Sequence, residues 1–177
     1  KVLYPVPTFG SYESIALGRG AEPVKVALRD DWTLDEAAAL EAIQREQPAV
    51  CFFATPNNPT GKVFSREELK FIADLCQKWG AVPVTDEIYE HILYEGAKHV
   101  SIASLPGMRE QSITINSISK TYSLTGWRVG YILAPAHLTA SIRKVHDFLT
   151  VGAAHPLQEG AVAALRMKED YYHALAE

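Results

Sequence analysis

The sequence has little cysteine and no long apolar run. Its two cysteines, Cys51 and Cys76, lie in an apolar and a helical stretch, which favours buried free thiols over a disulfide. No stretch stays apolar over the ~20 residues that a transmembrane helix needs, and no signal peptide opens the sequence. We therefore expect a cytoplasmic protein that makes no use of a membrane.

Clustered positive charge is also missing. The sequence has 17 Lys and Arg residues and 21 Asp and Glu residues, which gives a net charge of -4. A nucleic-acid surface shows clustered Lys and Arg, so we expect no nucleic-acid partner. The six histidines show no pairing at the spacing of metal ligands, so we also expect no metal site.

Two glycine-containing stretches lack what a nucleotide site requires. Gly18-Arg19-Gly20 has no third glycine and follows a predicted helix, unlike a dinucleotide-binding fingerprint. Gly61-Lys62 lacks the upstream glycine of a phosphate-binding P-loop. Neither stretch predicts a nucleotide-binding protein.

What the sequence does show is an alternation of strands and helices over 177 residues, enough for one domain. Strands are predicted at 2–4, 24–28, 49–54, 82–85, 113–115 and 129–134. Helices are predicted at 8–17, from a capping box at 33–36 to about residue 47, from a capping box at 65–68 to residue 80, and at 135–149 and 157–167. This order predicts an α/β fold: a doubly wound, mostly parallel sheet with helices on both faces.

Three unusual clusters follow predicted strands, at 55–61, 86–89 and 117–128. Sheets of this kind bind ligands at the carboxyl ends of their strands. We therefore expect the three segments to meet at one crevice, although they lie far apart in sequence.

The third cluster holds Ser117, Ser119, Lys120 and, eight positions after the lysine, Arg128. A lysine at a strand end among hydroxyls is suited to form an imine with a phosphorylated aldehyde, whose phosphate the hydroxyls and guanidinium would bind. The plain alternative is a surface loop with a solvated lysine and arginine. A third interpretation, the Ser-x-x-Lys pair of penicillin-recognising enzymes, lacks the Ser-Asp-Asn and Lys-Thr-Gly motifs that accompany it.

The other two clusters each allow a structural and a functional interpretation. Asn58 lies in a stretch of turn formers, and its amide is either part of a tight turn or directed at a ring hydroxyl. The Asn58–Pro59 bond is a candidate for the cis form. Asp86 either caps the next segment or accepts a hydrogen bond from a protonated heteroaromatic nitrogen. In the second case the negative charge of Asp86 would stabilise the protonated form of the ring. Tyr89 is either an ordinary packed tyrosine or directs its phenol into the crevice.

Taken together, the clusters resemble those of the pyridoxal-phosphate-dependent aminotransferases of class I and II, which have the aspartate-aminotransferase-like fold. The resemblance lies in Ser-x-Ser-Lys followed by Gly-Trp-Arg-x-Gly, in Asn-Pro-Thr-Gly at 58–61 and in Asp-Glu-Ile-Tyr at 86–89, in the family's order. It implies pyridoxal 5'-phosphate as cofactor, with Lys120 holding it covalently. Asp86 would pair with the pyridine nitrogen, and Asn58 and Tyr89 would contact the ring 3-hydroxyl.

The resemblance also implies a phosphate site and an activity. Ser117, Ser119 and Arg128 would bind the phosphate, and the ring of Phe9 would stack on the cofactor. Lys120, Asp86 and Tyr89 would be the catalytic residues that move an amino group between an amino acid and a 2-oxoacid, with 2-oxoglutarate expected, in a ping-pong mechanism. Two kinds of alternative stay open. One is another enzyme with the same fold, a β-lyase of sulfur amino acids or a cyclopropane-carboxylate synthase, and the other is an aminotransferase-like sensor domain of a transcription regulator.

Intact members of that family are more than twice as long as this sequence. The resemblance implies that residues 1–177 are part of the large cofactor-binding domain, without the N-terminal segment and the C-terminal small domain. It further implies a homodimer for the full-length protein, and the apolar character of the segment 150–157 agrees with an interface.

Overall fold

The structure, a computed structural model, describes residues 1–94 and 96–176. Within them, six strands form one sheet in the order β2-β1-β3-β4-β5-β6. The strands are β1 (Val2–Val6), β2 (Pro23–Ala27), β3 (Val50–Ala54), β4 (Val82–Asp86), β5 (Ile113–Ser117) and β6 (Gly130–Leu133). The helices are α1 (Ser11–Gly18), α2 (Glu36–Glu46), α3 (Arg66–Trp79), α4 (Ala136–Leu149), α5 (His155–Ala164) and α6 (Glu169–His173).

Strand direction confirms the predicted α/β class. Strands β1 to β5 pair in parallel, and β6 alone pairs antiparallel, with β5. The chain leaves β1 toward β2 on one side and then continues from β3 to β4 and β5 on the other. A reversal of this kind opens a crevice at the carboxyl ends of the strands, the usual ligand site of such sheets.

The two faces of the sheet carry different side chains. Phe53 is buried in the main core, which the apolar faces of α2 and α3 complete. The next residue along the strand points the other way, because successive side chains alternate across a sheet. Phe52 accordingly meets Tyr12 of α1, with 4.2 Å between ring centroids. Since Ala54 pairs with Asp86 and Phe52 with Val84, Asp86 lies on the same face as Phe52 and α1.

One predicted helix start is wrong. Helix α2 is capped by Asp35, whose side chain accepts a hydrogen bond from the Ala38 N–H, and the predicted box with Thr33 as cap does not form. Leu34 is still extended and bridges to Leu28, and the Thr33 hydroxyl donates to Asp31 instead. The box predicted at Ser65 is confirmed, with both of its reciprocal bonds present.

Strand β1 continues through Pro5, where the sequence had indicated its end. A proline inside a strand has no N–H to give to a neighbour. Because β1 pairs with β3 only at Val2 and Leu3, Pro5 faces no β3 partner that needs the missing donor.

The two thiols are buried and free as predicted. The hydrogen bond with Cys51 and, as the second cause, burial raise the pKa of Cys76.

The C-terminal helices cover less of the sheet than α2 and α3 do. Helix α4 buries none of its residues, and Phe148 near its end is 94% exposed. Helix α5 contributes Ala161 to a small second cluster with Ile118 and Val129. Among the described residues, no helix combines the length and apolar character required to cross a bilayer.

Glu68, in the first turn of α3, joins three segments of the chain. One of its oxygens accepts from the Leu34 N–H at 2.8 Å, the other accepts from the Ser65 N–H at 2.8 Å, and Lys62 forms an ion pair with it at 2.7 Å. Burial would raise the pKa of Glu68, but the bonds from Lys62, Ser65 and Leu34 outweigh it and hold the pKa below its ordinary value. Lys62 directly follows the turn that contains Asn58, so this ion pair anchors that turn to α3.

We expect Glu68→Gln to lower the free energy of unfolding at pH 7 by about 3–5 kcal/mol, because it leaves the largely buried charge of Lys62 without its partner. A carboxyl with a lowered folded-state pKa stabilises the protein above its unfolded pKa, about 4.3, and loses that effect as pH falls further. Urea unfolding at pH 7 and at pH 3.5 should therefore show a difference between wild type and variant that shrinks in acid. Glu67→Gln, an exposed neighbour in the same helical turn, is the control and should change little. An equal difference at both pH values would contradict this account.

Candidate active site

The carboxyl end of β4 carries a carboxylate held from two sides. Asp86 is part-buried, and its Oδ2 accepts a hydrogen bond from the Tyr12 hydroxyl at 2.7 Å. Its Oδ1 accepts from the Ile88 N–H at 3.2 Å. A carboxylate has about four acceptor positions, so Asp86 can still accept a bond from a ligand. Its orientation is thus fixed before any ligand arrives.

Tyr12 is a site residue that the sequence analysis did not identify. Burial, then the charge and hydrogen bond of Asp86, raise the pKa of Tyr12 well above its ordinary value. Its hydroxyl is therefore a donor to Asp86 across the physiological pH range. The Tyr12 ring also meets Phe9 edge to face, at 5.7 Å between centroids. The only signal in the sequence was a second aromatic residue three positions after Phe9.

Phe9 itself follows β1 and is 47% exposed. An exposed aromatic face beside a polar crevice is available to a flat ligand. The contacts Phe9–Tyr12 and Tyr12–Asp86 connect the end of β1 to the end of β4. Its stacking on a cofactor ring stays a prediction.

Asn57, rather than Asn58, organises the turn after β3. Asn57 is 5% exposed; its Nδ2 donates to the Pro7 carbonyl and to the Thr60 hydroxyl, and its Oδ1 accepts from Thr8. These bonds tie the segment that leads to Phe9 to the turn that presents Asn58. Asn57 could not be distinguished from Asn58 in the sequence, because two adjacent asparagines in a turn look alike. The Asn58–Pro59 bond is cis, as predicted.

Asn58 and Tyr89 line the same open cavity, of about 720 Å³, which lies within the range of small-molecule sites. Its other walls are mostly apolar and include Val63, Ile92 and Leu93. The Lys120 amine lies 5.9 Å from the centroid of the Tyr89 ring. Tyr89 therefore shares a cavity wall with Asn58 and lies near Lys120, whereas Lys120 and Asp86 do not line this cavity themselves.

Lys120 is available for chemistry. In the part of the chain that the structure describes, the lysine ion pairs involve only Lys1, Lys25, Lys62 and Lys70. Lys120 is part-buried and lies three residues after the end of β5. A lysine without a carboxylate partner in a sheltered position is an available nucleophile and base.

The segment between β5 and β6 is a folded loop whose side chains form hydrogen bonds with its own backbone. The Ser117 Oγ accepts from the Ser119 N–H at 3.1 Å, and the Thr125 hydroxyl donates to the Ser119 carbonyl at 2.9 Å. Arg128 has a left-handed backbone, with φ 54°, and one of its guanidinium nitrogens donates to the Thr125 carbonyl. Arg128 is exposed, and the guanidinium keeps further donors for an anion. Their binding of a phosphate stays a prediction.

The donor set fits pyridoxal phosphate. A carboxylate oriented by Tyr12 suits a protonated ring nitrogen, and the amine of Lys120, which pairs with no carboxylate among the described residues, suits an aldehyde. Arg128 and two serine residues on one loop suit a phosphate, since guanidinium binds phosphate oxygens strongly. The residues would hold the group between the ends of β1, β3, β4 and β5.

Comparison with known proteins shows the family of this chain. A sequence model of the family described as "Aminotransferase class I and II" matches residues 1–177. The chain belongs to the class I and II aminotransferase family. It is 41% identical over 175 residues to kynurenine–oxoglutarate transaminase 3 of Bos taurus, covering 93% of this chain and 38% of that protein. It is 42% identical over 159 residues to kynurenine–oxoglutarate transaminase 1 of Homo sapiens, covering 83% and 37%.

A solved aminotransferase has the same fold. The structure of N-succinyldiaminopimelate aminotransferase from Mycobacterium tuberculosis superimposes with a TM-score of 0.93 at 34% identity, over 98% of this chain and 46% of that one. This class I and II aminotransferase chain therefore spans less than half the length of the relatives that it matches.

Proposed function

We propose that the protein carrying this chain is a pyridoxal-phosphate-dependent aminotransferase that moves an amino group from an amino acid to 2-oxoglutarate. The observation that carries the proposal is the arrangement of Asp86, Tyr89 and Lys120 at neighbouring strand ends, with Asp86 oriented by Tyr12. The names of the relatives, which include kynurenine and oxoglutarate, favour transamination over the β-lyase and sensor alternatives.

When bound, the cofactor would supply an electron sink for the carbanion left at the substrate Cα. The chain's own residues would do the rest. Lys120 Nζ would hold the cofactor's aldehyde carbon and, once substrate displaces it, take the Cα proton. Asp86 would keep a proton on the ring nitrogen, since an adjacent negative charge favours the cationic ring.

The remaining residues would position the group. Asn58 and the Tyr89 hydroxyl would donate to the ring 3-hydroxyl oxygen, and Phe9 would cover one ring face. The hydroxyls of Ser117 and Ser119 and the Arg128 guanidinium would bind the phosphate. Fixed geometry of this kind lowers the barrier by pre-ordering the reacting atoms.

The experiment is a two-step assay on the purified protein. Titration with pyridoxal phosphate should give a visible absorption band that borohydride abolishes. Incubation with kynurenine and 2-oxoglutarate should then produce glutamate, with the parallel double-reciprocal lines of a ping-pong mechanism. Release of pyruvate and ammonia from a sulfur amino acid without glutamate formation would favour the β-lyase, and cofactor binding without turnover of any amino acid would favour the sensor.

We also propose that the protein acts in the cytoplasm as a homodimer. Apolar side chains at the end of α4 and just beyond it are exposed: Phe148 is 94% exposed, Leu149 57% and Val151 82%. Contiguous exposed apolar residues mark interaction surfaces. Leu157 from the same region instead packs in the small cluster around Ile118.

Sedimentation at micromolar concentration should give a dimer for the protein carrying this chain. Phe148→Glu should shift the equilibrium toward monomer, because it places a charge in the apolar surface. Lys144→Glu on the same helix is an exposed control and should leave the dimer in place. A wild-type monomer across this range would contradict the proposal.

A further inference from the structure

A buried carboxylate lies directly behind the candidate active site. Asp86 and Glu87 are consecutive, and Asp86 is on the face of the sheet that meets α1. Glu87 lies on the other face, 1% exposed, and is among the largest fully buried side chains. The chemistry assigned to the crevice does not use it, and a buried carboxylate is costly unless it is hydrogen-bonded.

Three side chains satisfy Glu87. Its Oε1 accepts from the Thr85 hydroxyl at 2.8 Å and from the Ser101 hydroxyl at 2.9 Å. Its Oε2 lies 2.9 Å from His99 Nε2, which is the donor since a carboxylate can only accept. His99 and Ser101 directly precede a 3₁₀ turn (Ile102–Ser104), whose Ile102 is fully buried in the main core. These hydrogen bonds therefore attach Glu87 to a segment that is anchored in the main core through Ile102.

The turn that follows β4, which contains Tyr89 and Glu90, is bonded to the segment that carries Lys120 as well. The Glu90 Oε1 accepts from Asn116 Nδ2 at 2.6 Å, and Asn116 Oδ1 accepts from the Ser117 N–H at 2.7 Å. Ser117 begins the loop that leads to Lys120. The residues that flank Asp86 and Tyr89 thus carry bonds both to the core and to the neighbouring strand end.

Glu87, Glu90 and His99 bring their ligand atoms within 4.8 Å of one another. A divalent cation is one interpretation of such a group. However, both oxygens of Glu87 and one oxygen of Glu90 already accept hydrogen bonds from protein donors. A cation would have to displace these bonds, so the geometry favours a hydrogen-bonded network.

We propose that His99 is a positioning residue for cofactor binding: by donating to Glu87, it holds the turn that presents Asp86 and Tyr89. Without His99, Glu87 keeps the hydrogen bonds from Thr85 and Ser101, but its Oε2 is buried without a donor. That cost favours a rotation of the carboxylate toward solvent. Because Glu87 is joined to Asp86 through one peptide unit, such a movement displaces the Asp86 carboxylate and the Tyr89 phenol. The inference rests on the proposed function, since it concerns the affinity for pyridoxal phosphate.

The test measures the dissociation constant of pyridoxal phosphate by absorbance titration, in the protein carrying this chain. Hydrogen-bond partners that orient the ligands of a metal ion are typically worth 10–100-fold in affinity, and by analogy we expect a loss of about that size for His99→Leu. His99→Gln, whose side-chain amide can still donate to Glu87, should recover most of the affinity. At saturating cofactor the bound ring draws Asp86 back into place, so His99→Leu should lower kcat by a smaller factor than it lowers the affinity for the cofactor.

Ser104→Ala is the matched control, since Ser104 lies in the same segment and its hydroxyl donates to the Ser101 carbonyl rather than to Glu87. If His99→Leu does not fold, Ser101→Ala removes another of the three bonds and should weaken cofactor binding in the same direction. Wild-type affinity in a folded His99→Leu or Ser101→Ala protein would overturn the inference. So would a cofactor affinity that a chelator abolishes and a divalent cation restores. Failure of the wild type to bind pyridoxal phosphate would instead overturn the proposed function.

Discussion

Replacing Lys120 by alanine is expected to abolish covalent attachment of pyridoxal phosphate and to leave the domain folded. The amine lies near Tyr89 at the strand ends, and no carboxylate in the described part of the chain pairs with it. Because Lys120 would be both the attachment point and the base, its loss should lower transamination by at least the 10²–10⁴-fold that general base catalysis is worth.

The expected measurements are a missing visible band on cofactor titration and no labelled peptide after borohydride reduction. Lys144→Ala is the matched control, because Lys144 is exposed on α4 and has no phosphate-binding residues in its segment. Both variants should keep the far-UV circular dichroism of the wild type, since neither side chain is buried in the core. Peptide mapping that found the reduced cofactor on another lysine would contradict the assignment.

The main features of the fold were readable because they depend on local patterns. The alternation of apolar runs and capped helices predicts where strands and helices lie along the chain. The capping box at Ser65 forms as expected. The box at Thr33 failed for a reason that lies elsewhere in the chain. Glu68, 34 positions further on, takes the Leu34 N–H, and Leu34 pairs with Leu28, so the chain is still extended there.

The candidate site was predictable in part for the same reason. Asn58, Asp86 and Lys120 stand out because each follows an apolar strand, and strand ends of a parallel sheet share one edge. Tyr12 and Asn57 do not stand out, since their roles exist only through contacts made across 74 and 50 positions of the chain. His99 lies in a polar loop without any pattern, and only folding brings it to Glu87.

The second large effect is expected at Asp86. Asp86→Asn keeps the shape of the side chain and can still accept the Tyr12 hydroxyl, but it removes the negative charge. A ring nitrogen without that charge nearby loses its proton more readily, by a unit or more of pKa, and the electron sink weakens. We expect transamination to fall by about 10²–10³-fold, the size seen when one preorganised electrostatic group is removed.

Two further variants separate charge from orientation. Tyr12→Phe leaves the Asp86 charge and removes one hydrogen bond to it, which is worth about 1.5–3 kcal/mol when the acceptor is charged, or roughly 10–150-fold at most. Its effect on activity should therefore be smaller than that of Asp86→Asn, with the ring absorption nearly unchanged. Asp86→Asn should instead shift the absorption of the bound cofactor, because the ring changes its protonation. An Asp86→Asn protein with the wild-type rate and spectrum would show that the carboxylate charge does not act on the ring, and the roles proposed for the whole crevice would then have to be reassigned.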